Sequence, residues 1–154
     1  MKRIAFFSLE MIVGVLAMMP STAMAQTNKD DVFIKIVDDN LFSRCFTVCD
    51  ANGDGIVTYG EAAEAKTLVL DAGGRSNIIE KYDFLKYFPN LTTFSIGNTT
   101  VESIDLSKNP KLERLNLANG LWVKEITLAV GCEPQIFFPD DTHDIVIKRV
   151  EVKE

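Results

Sequence analysis

The chain has 154 residues and a formal net charge of −6. That length holds one modest domain around one core. The acidic balance excludes nucleic acid and anionic membrane surfaces as natural partners and suits a cation.

In chain order, the first expected element is a secretory signal peptide over residues 1–25. Lys2 and Arg3 make a basic start, and residues 11–19 (MIVGVLAMM) form an apolar run too short to span a bilayer. Pro20 then leads to the small-x-small site Ala23-Met24-Ala25 ahead of Gln26. Glu10 is the one irregularity in the pattern, and a buried N-terminal helix is the other reading of it. No cysteine stands at a lipoprotein position. The expected product is an exported protein, periplasmic or extracellular, one unit more acidic than the full chain because Lys2 and Arg3 leave with Glu10.

Residues 31–37 (DVFIKIV) alternate and are β-branched, which predicts a strand. Asp39 or Asn40 then N-caps a helix on which Phe42, Cys45, Phe46 and Cys49 share one face. This helix runs into residues 50–61 (DANGDGIVTYGE), and a second helix starts near Tyr59 with the strong helix-forming run EAAEAK. Residues 26–64 therefore read as a helix–loop–helix cap. Three cysteines are a poor disulfide framework even in an oxidising compartment. Cys45 and Cys49 fit as small core residues, and a bridge from one of them to Cys132 is the alternative. With His143 as the one histidine, a Cys/His zinc site lacks its ligands.

The loop at 50–61 matches D-x-[DN]-x-[DN]-G-x5-E at every constrained position. That spacing curls oxygens around Ca2+, a hard cation that takes roughly six to eight of them. Asp50, Asn52 and Asp54 are the expected side-chain donors. Ile56 adds its main-chain carbonyl, Thr58 a water-bridged contact, and Glu61 both carboxylate oxygens. Gly55 makes the turn that needs positive φ. A turn of this composition can also persist without an ion.

From residue 65 to 154 the sequence becomes repetitive. Ala65-x-x-Leu68-x-Leu70 recurs as Leu91-x-x-Phe94-x-Ile96, as Leu112-x-x-Leu115-x-Leu117, and more weakly at Ile136-x-Phe138. Half-motifs stand between, at Val101-x-x-Ile104-x-Leu106 and Val123-x-x-Ile126-x-Leu128. A helical turn is expected over residues 82–88 with Pro89 as its stop, and Asn109-Pro110 supplies a turn between units. Such a period points to an α/β solenoid in which stacked short strands bury one apolar spine. An ordinary β-rich domain with evenly spaced strands is the competing architecture. The helix–loop–helix would close one end and a strand over 145–152 the other.

FTVCDANGDGIVTYGEA (residues 46–62), FLKYFPNLTTFSI (84–96) and IDLSKNPKLERLNL (104–117) together make the mature chain resemble secreted leucine-rich-repeat proteins of Gram-negative bacteria with an EF-hand-like segment before the repeats. The resemblance implies a non-catalytic protein-interaction module. The sequence departs from that pattern in having few repeats, in Thr99 and Gly120 where an asparagine is usual, and in Trp122 and the 139–154 tail.

Strand alternation then nominates Val69, Ser95, Asn116 and Phe137 as outward positions for a protein or surface partner, flanked by Thr67, Thr93, Arg114 and Gln135. A solvated sheet face is the plain alternative. A dockerin-like or calcium-buffering module, with the loop itself as the functional element, is the second reading, although no second DxNxDG is present. An enzyme is not expected: no G-x-S-x-G, P-loop or dinucleotide fingerprint occurs, and His143 sits in an acidic turn.

Overall fold

The computed structural model describes residues 28–37, 40–70, 78–117, 122–138 and 144–152. The expected signal peptide, Asp39, Gly120 and His143 lie outside the described residues. Strand β1 (Val32–Lys35) forms within the predicted stretch and pairs antiparallel with β2 (Ile56–Thr58). This ribbon joins Val32–Lys35 to the C-terminal half of the 50–61 loop.

Between these strands lie the four-residue helix α1 (Leu41–Arg44) and a 3-10 turn, Thr47–Cys49. Asn40 caps α1 by accepting from the Ser43 N–H at 3.1 Å. The expected longer helix does not form because local side chains compete for its main chain. The Thr47 hydroxyl donates back to the Arg44 carbonyl at 2.7 Å, and that of Ser43 bonds the Val37 and Asn40 carbonyls. Phe46 and Cys49 are nonetheless buried. Helix α2 (Tyr59–Glu64) starts as predicted but ends early, at Ala65 with extended φ −63 and ψ 132. Helix propensity in EAAEAK is overridden there, because strand β3 (Thr67–Val69) must follow at once.

Beyond α2 the chain alternates between two parallel sheets. One has the order β3, β4 (Thr93–Ser95), β6 (Arg114–Asn116), β8 (Gln135–Phe137). The other runs β5 (Ser103–Leu106), β7 (Glu125–Ala129), β9 (Val146–Val150). Register aligns Leu68, Phe94, Leu115 and Ile136 in the first, and Ile104, Ile126 and Ile147 in the second. All but the last residue of each row are buried in one apolar cluster. Edge-to-face rings tie the N-terminal region to it, with Phe33 5.4 Å from Phe46 and 5.5 Å from Phe88.

The expected architecture, an α/β leucine-rich-repeat solenoid under a two-helix EF-hand cap, is therefore corrected. Among the described residues the chain is mostly β, its helices are four and six residues long, and no clear solenoid forms. The half-motifs explain the difference: their β-branched period-2 runs make a second sheet where helices would otherwise pack. The 82–88 turn is a 3-10 segment, Asp83–Tyr87. The strand expected to close the far end is β9, and it lies wholly exposed.

Candidate functional site

The 50–61 loop is held by an inward network of oxygens. Gly53 (φ 74) and Gly55 (φ 79) supply the left-handed turns. Asp50 then gathers three amides: its Oδ1 accepts from Gly53 N at 2.8 Å and Asp54 N at 3.2 Å, and its Oδ2 from Gly55 N at 2.9 Å. Asn52 Oδ1 accepts from the same Asp54 N–H at 2.9 Å, which brings it near Asp50 Oδ1. Asp54 Oδ1 accepts from Ile56 N at 2.8 Å, and its Oδ2 from Asn52 Nδ2 at 3.0 Å.

Glu61 fastens the loop at both ends. Its Oε1 accepts from Ala51 N at 3.0 Å, and its Oε2 from Thr58 N and the Thr58 hydroxyl, both at 2.9 Å. In return Thr58 Oγ1 accepts from Glu61 N at 3.2 Å, completing a capping box at the start of α2. These bonds, that from the Thr58 N–H foremost, hold the carboxyl below its usual range. The Thr58 hydroxyl is thus occupied by the cap. Ile56 opens β2 opposite Lys35, and Val57 behind it is fully buried.

Of the expected ligands, Asp50, Asn52, Asp54 and Glu61 all have their oxygens engaged with loop amides. Oxygen-only donors fit a hard cation such as calcium. The fit in space is looser: no three His, Cys, Asp or Glu side chains among the described residues group closely enough to hold a metal ion. The carboxylates accept from loop amides, and Glu61 also from the Thr58 hydroxyl.

Behind the loop, burial first and the Glu61 charge second push the Cys49 thiol up to about 11. Cys45, Cys49 and Cys132 form no disulfide, so the bridge considered from sequence is not made. Cys132 instead packs in the sheets, its Sγ directed at the Asn109 and Leu112 carbonyls at 3.8 and 3.6 Å.

The outer face of the four-stranded sheet carries the nominated partner positions. Val69, Ser95, Asn116 and Phe137 form one row in register, and Thr67, Thr93, Arg114 and Gln135 another. Val69 and Phe137 are exposed, while Ser95 and Asn116 are half-buried. A feature that sequence reasoning missed is a cleft of about 440 Å3 lined by Tyr82, Asp83, Lys86, Ser103, Asp105 and Lys108. Its walls come from segments some twenty residues apart, so no local pattern announces it. Among the described residues no helix is long and apolar enough to cross a membrane. Comparison with protein-family models, curated proteins and solved structures gives no match.

Proposed function

We propose that this is an exported, non-catalytic binding protein in which the 50–61 loop takes up calcium and thereby fastens the N-terminal elements to the sheets. Its partner, a protein or surface ligand, meets the outer rows of the four-stranded sheet. The observation that carries the calcium reading is Glu61, bonded at once to Ala51 at the start of the loop and to Thr58 near its end. Its charge faces the same loop whose amides are gathered by Asp50. A cation there would add attraction among Asp50, Asp54 and Glu61 where the chain alone supplies only amide bonds.

The energetic scale suits a staple. A site with a dissociation constant of about 10⁻⁴ M, exposed to about 1 mM calcium, stabilises the fold by about 1.4 kcal/mol. Thermal melting of the full chain in calcium and in chelator tests this. The expected result is a Tm higher by a few degrees in calcium, absent in Asp50→Ala. An identical Tm in calcium, magnesium and chelator would rule the reading out.

A second reading, the loop as a dockerin-like docking element, draws on one observation. Val48 is strongly exposed beside a cleft of about 340 Å3 that Ala51, Gly60, Glu61 and Glu64 help to line. Substituting Val48 would then abolish partner capture while the sheet-face variants keep it.

A further inference from the structure

The first half of the 50–61 loop contains Asn52-Gly53 and Asp54-Gly55, in each of which glycine follows a side chain with a γ-carbonyl. In such a pair the glycine main-chain nitrogen can attack the γ-carbon of the residue before it and close a five-membered imide. Glycine permits this most readily, because no side chain crowds the attacking nitrogen. Gly53 adopts φ 74 and Gly55 φ 79, and a Cβ at either would meet nothing within 4 Å. Asn52, Gly53 and Asp54 are exposed, so water reaches them.

The closed loop nevertheless takes both nitrogens out of that reaction, and one side chain does it. Asp50 Oδ1 accepts from Gly53 N at 2.8 Å, and its Oδ2 from Gly55 N at 2.9 Å. Attack requires the N–H proton to leave, and negative charge then builds on a nitrogen that already faces a carboxylate. The Asn52 carboxamide is held as well. Its Oδ1 accepts from Asp54 N at 2.9 Å, and its Nδ2 donates to Asp54 Oδ2 at 3.0 Å. Closing the imide breaks the Gly53 and Nδ2 bonds, since the Gly53 proton and Nδ2 both depart.

We infer that Asn52 is a site of spontaneous deamidation, and that Asp50 is the guard that holds it unreacted while the loop is closed. In the reaction Gly53 N bonds to Asn52 Cγ and the Cγ–Nδ2 bond breaks. Nδ2 leaves as ammonia with the proton from Gly53 N. Water, the one co-reactant, then opens the ring at either carbonyl. Opening at Cγ leaves an aspartate at position 52. Opening at the main-chain carbonyl leaves an isoaspartate, which routes the chain through Cβ and Cγ and lengthens it by one carbon. That extra carbon shifts Gly53 N and Asp54 N against Asp50 Oδ1, which now takes both at 2.8 and 3.2 Å. Opening of the loop is thereby recorded as a lasting covalent change. Asp54 isomerises by the same route, losing water instead of ammonia, once Gly55 N is released.

Peptide mapping by mass spectrometry, during incubation at mildly alkaline pH, tests this. Chelator is present throughout, so the outcome does not depend on calcium uptake. In urea the chain's two Asn-Gly pairs, at Asn52 and Asn119, are expected to deamidate alike. In the folded chain Asn52 is expected to react at least about tenfold more slowly than in urea. Asp50→Ala releases both glycine nitrogens, and should bring the folded rate at Asn52 close to the unfolded one and raise isoaspartate at position 54. Glu61→Ala loosens both ends of the loop without touching Gly53 or Gly55, and should raise the Asn52 rate far less. Cooperative melting of each variant shows that folded chains are being compared, and the wild-type ratio stands without either. An Asn52 that reacts as fast folded as in urea overturns the inference. So does equal acceleration by the two variants, which would make general loosening, and not Asp50, the control.

Discussion

Glu61 carries two jobs that substitution can separate. As a cap it accepts from the Thr58 and Ala51 amides, and as a charge it would face a cation. Glu61→Ala should cost about 1 kcal/mol in chelator through loss of the capping box, whereas Glu61→Gln keeps an acceptor and loses less. Both should abolish any calcium-induced rise in Tm, read by melting each variant with and without the ion. The pH dependence has a definite sign. The folded carboxyl lies below its ordinary 4.5, so its contribution is present above that value and is lost as pH falls through the lower folded one. Acid melts of wild type and Glu61→Gln should converge there. Cys49, pushed from 9.0 to about 11, holds about a hundredfold less thiolate near pH 8 than an ordinary thiol. Alkylation of Cys49 should therefore be slowed by at least about that factor in the folded chain, read by mass spectrometry against the unfolded protein.

Among the elements, the joints between successive strands depend on buried donors at corners. Asn109 is fully buried, and its Nδ2 donates to Leu85 O at 2.9 Å and Phe88 O at 2.8 Å. It thereby answers the carbonyls of the Asp83–Tyr87 turn, one of them from its C-terminal Phe88. Cys132 repeats the arrangement one unit on, with its thiol toward Asn109 O and Leu112 O. The thiol is the weaker donor, so the two corners should not be equal. Asn109→Ala removes one of the two bonds that each carbonyl accepts, leaving those from Phe88 N and Leu91 N, and should cost about 2 kcal/mol, against about 1 kcal/mol or less for Cys132→Ser, both measured by urea unfolding. Equal losses would mean that the corner is held by packing and not by these bonds.

For the molecule as a whole, the sheet face and the loop make separable contributions. Alternating charges at Val69→Lys, Ser95→Asp, Asn116→Lys and Phe137→Asp avoid like charges opposite one another in the row, change exposed or half-buried outer positions and should leave the spine of Leu68, Phe94 and Leu115 intact. The four-fold variant is expected to melt within a few degrees of wild type while losing partner capture in a pull-down from culture supernatant or periplasmic extract. Capture that survives all four changes would remove the sheet face from the proposal. Calcium acting as a staple would raise the stability of both proteins alike, because the loop lies at the opposite end of the sheet order from Phe137.

Local chemistry was legible in the sequence wherever neighbours in the chain decide it. The 50–61 turn with Gly55, a cap at Asp39 or Asn40, and the alternating rows through Leu68, Phe94, Leu115 and Ile136 all follow from side chains a few residues apart, whereas the Thr58 cap was not read there. Tertiary structure decided what competes over longer distances. It ended α2 where β3 had to pair, and made a second sheet of β5, β7 and β9 in place of helices. It also kept three cysteines apart from any bridge and left Ile147 open while burying Ile126. The physical reason is common to all of these. Periodicity says which side of a segment is apolar, but only the packed neighbours determine whether that side is covered, and by what.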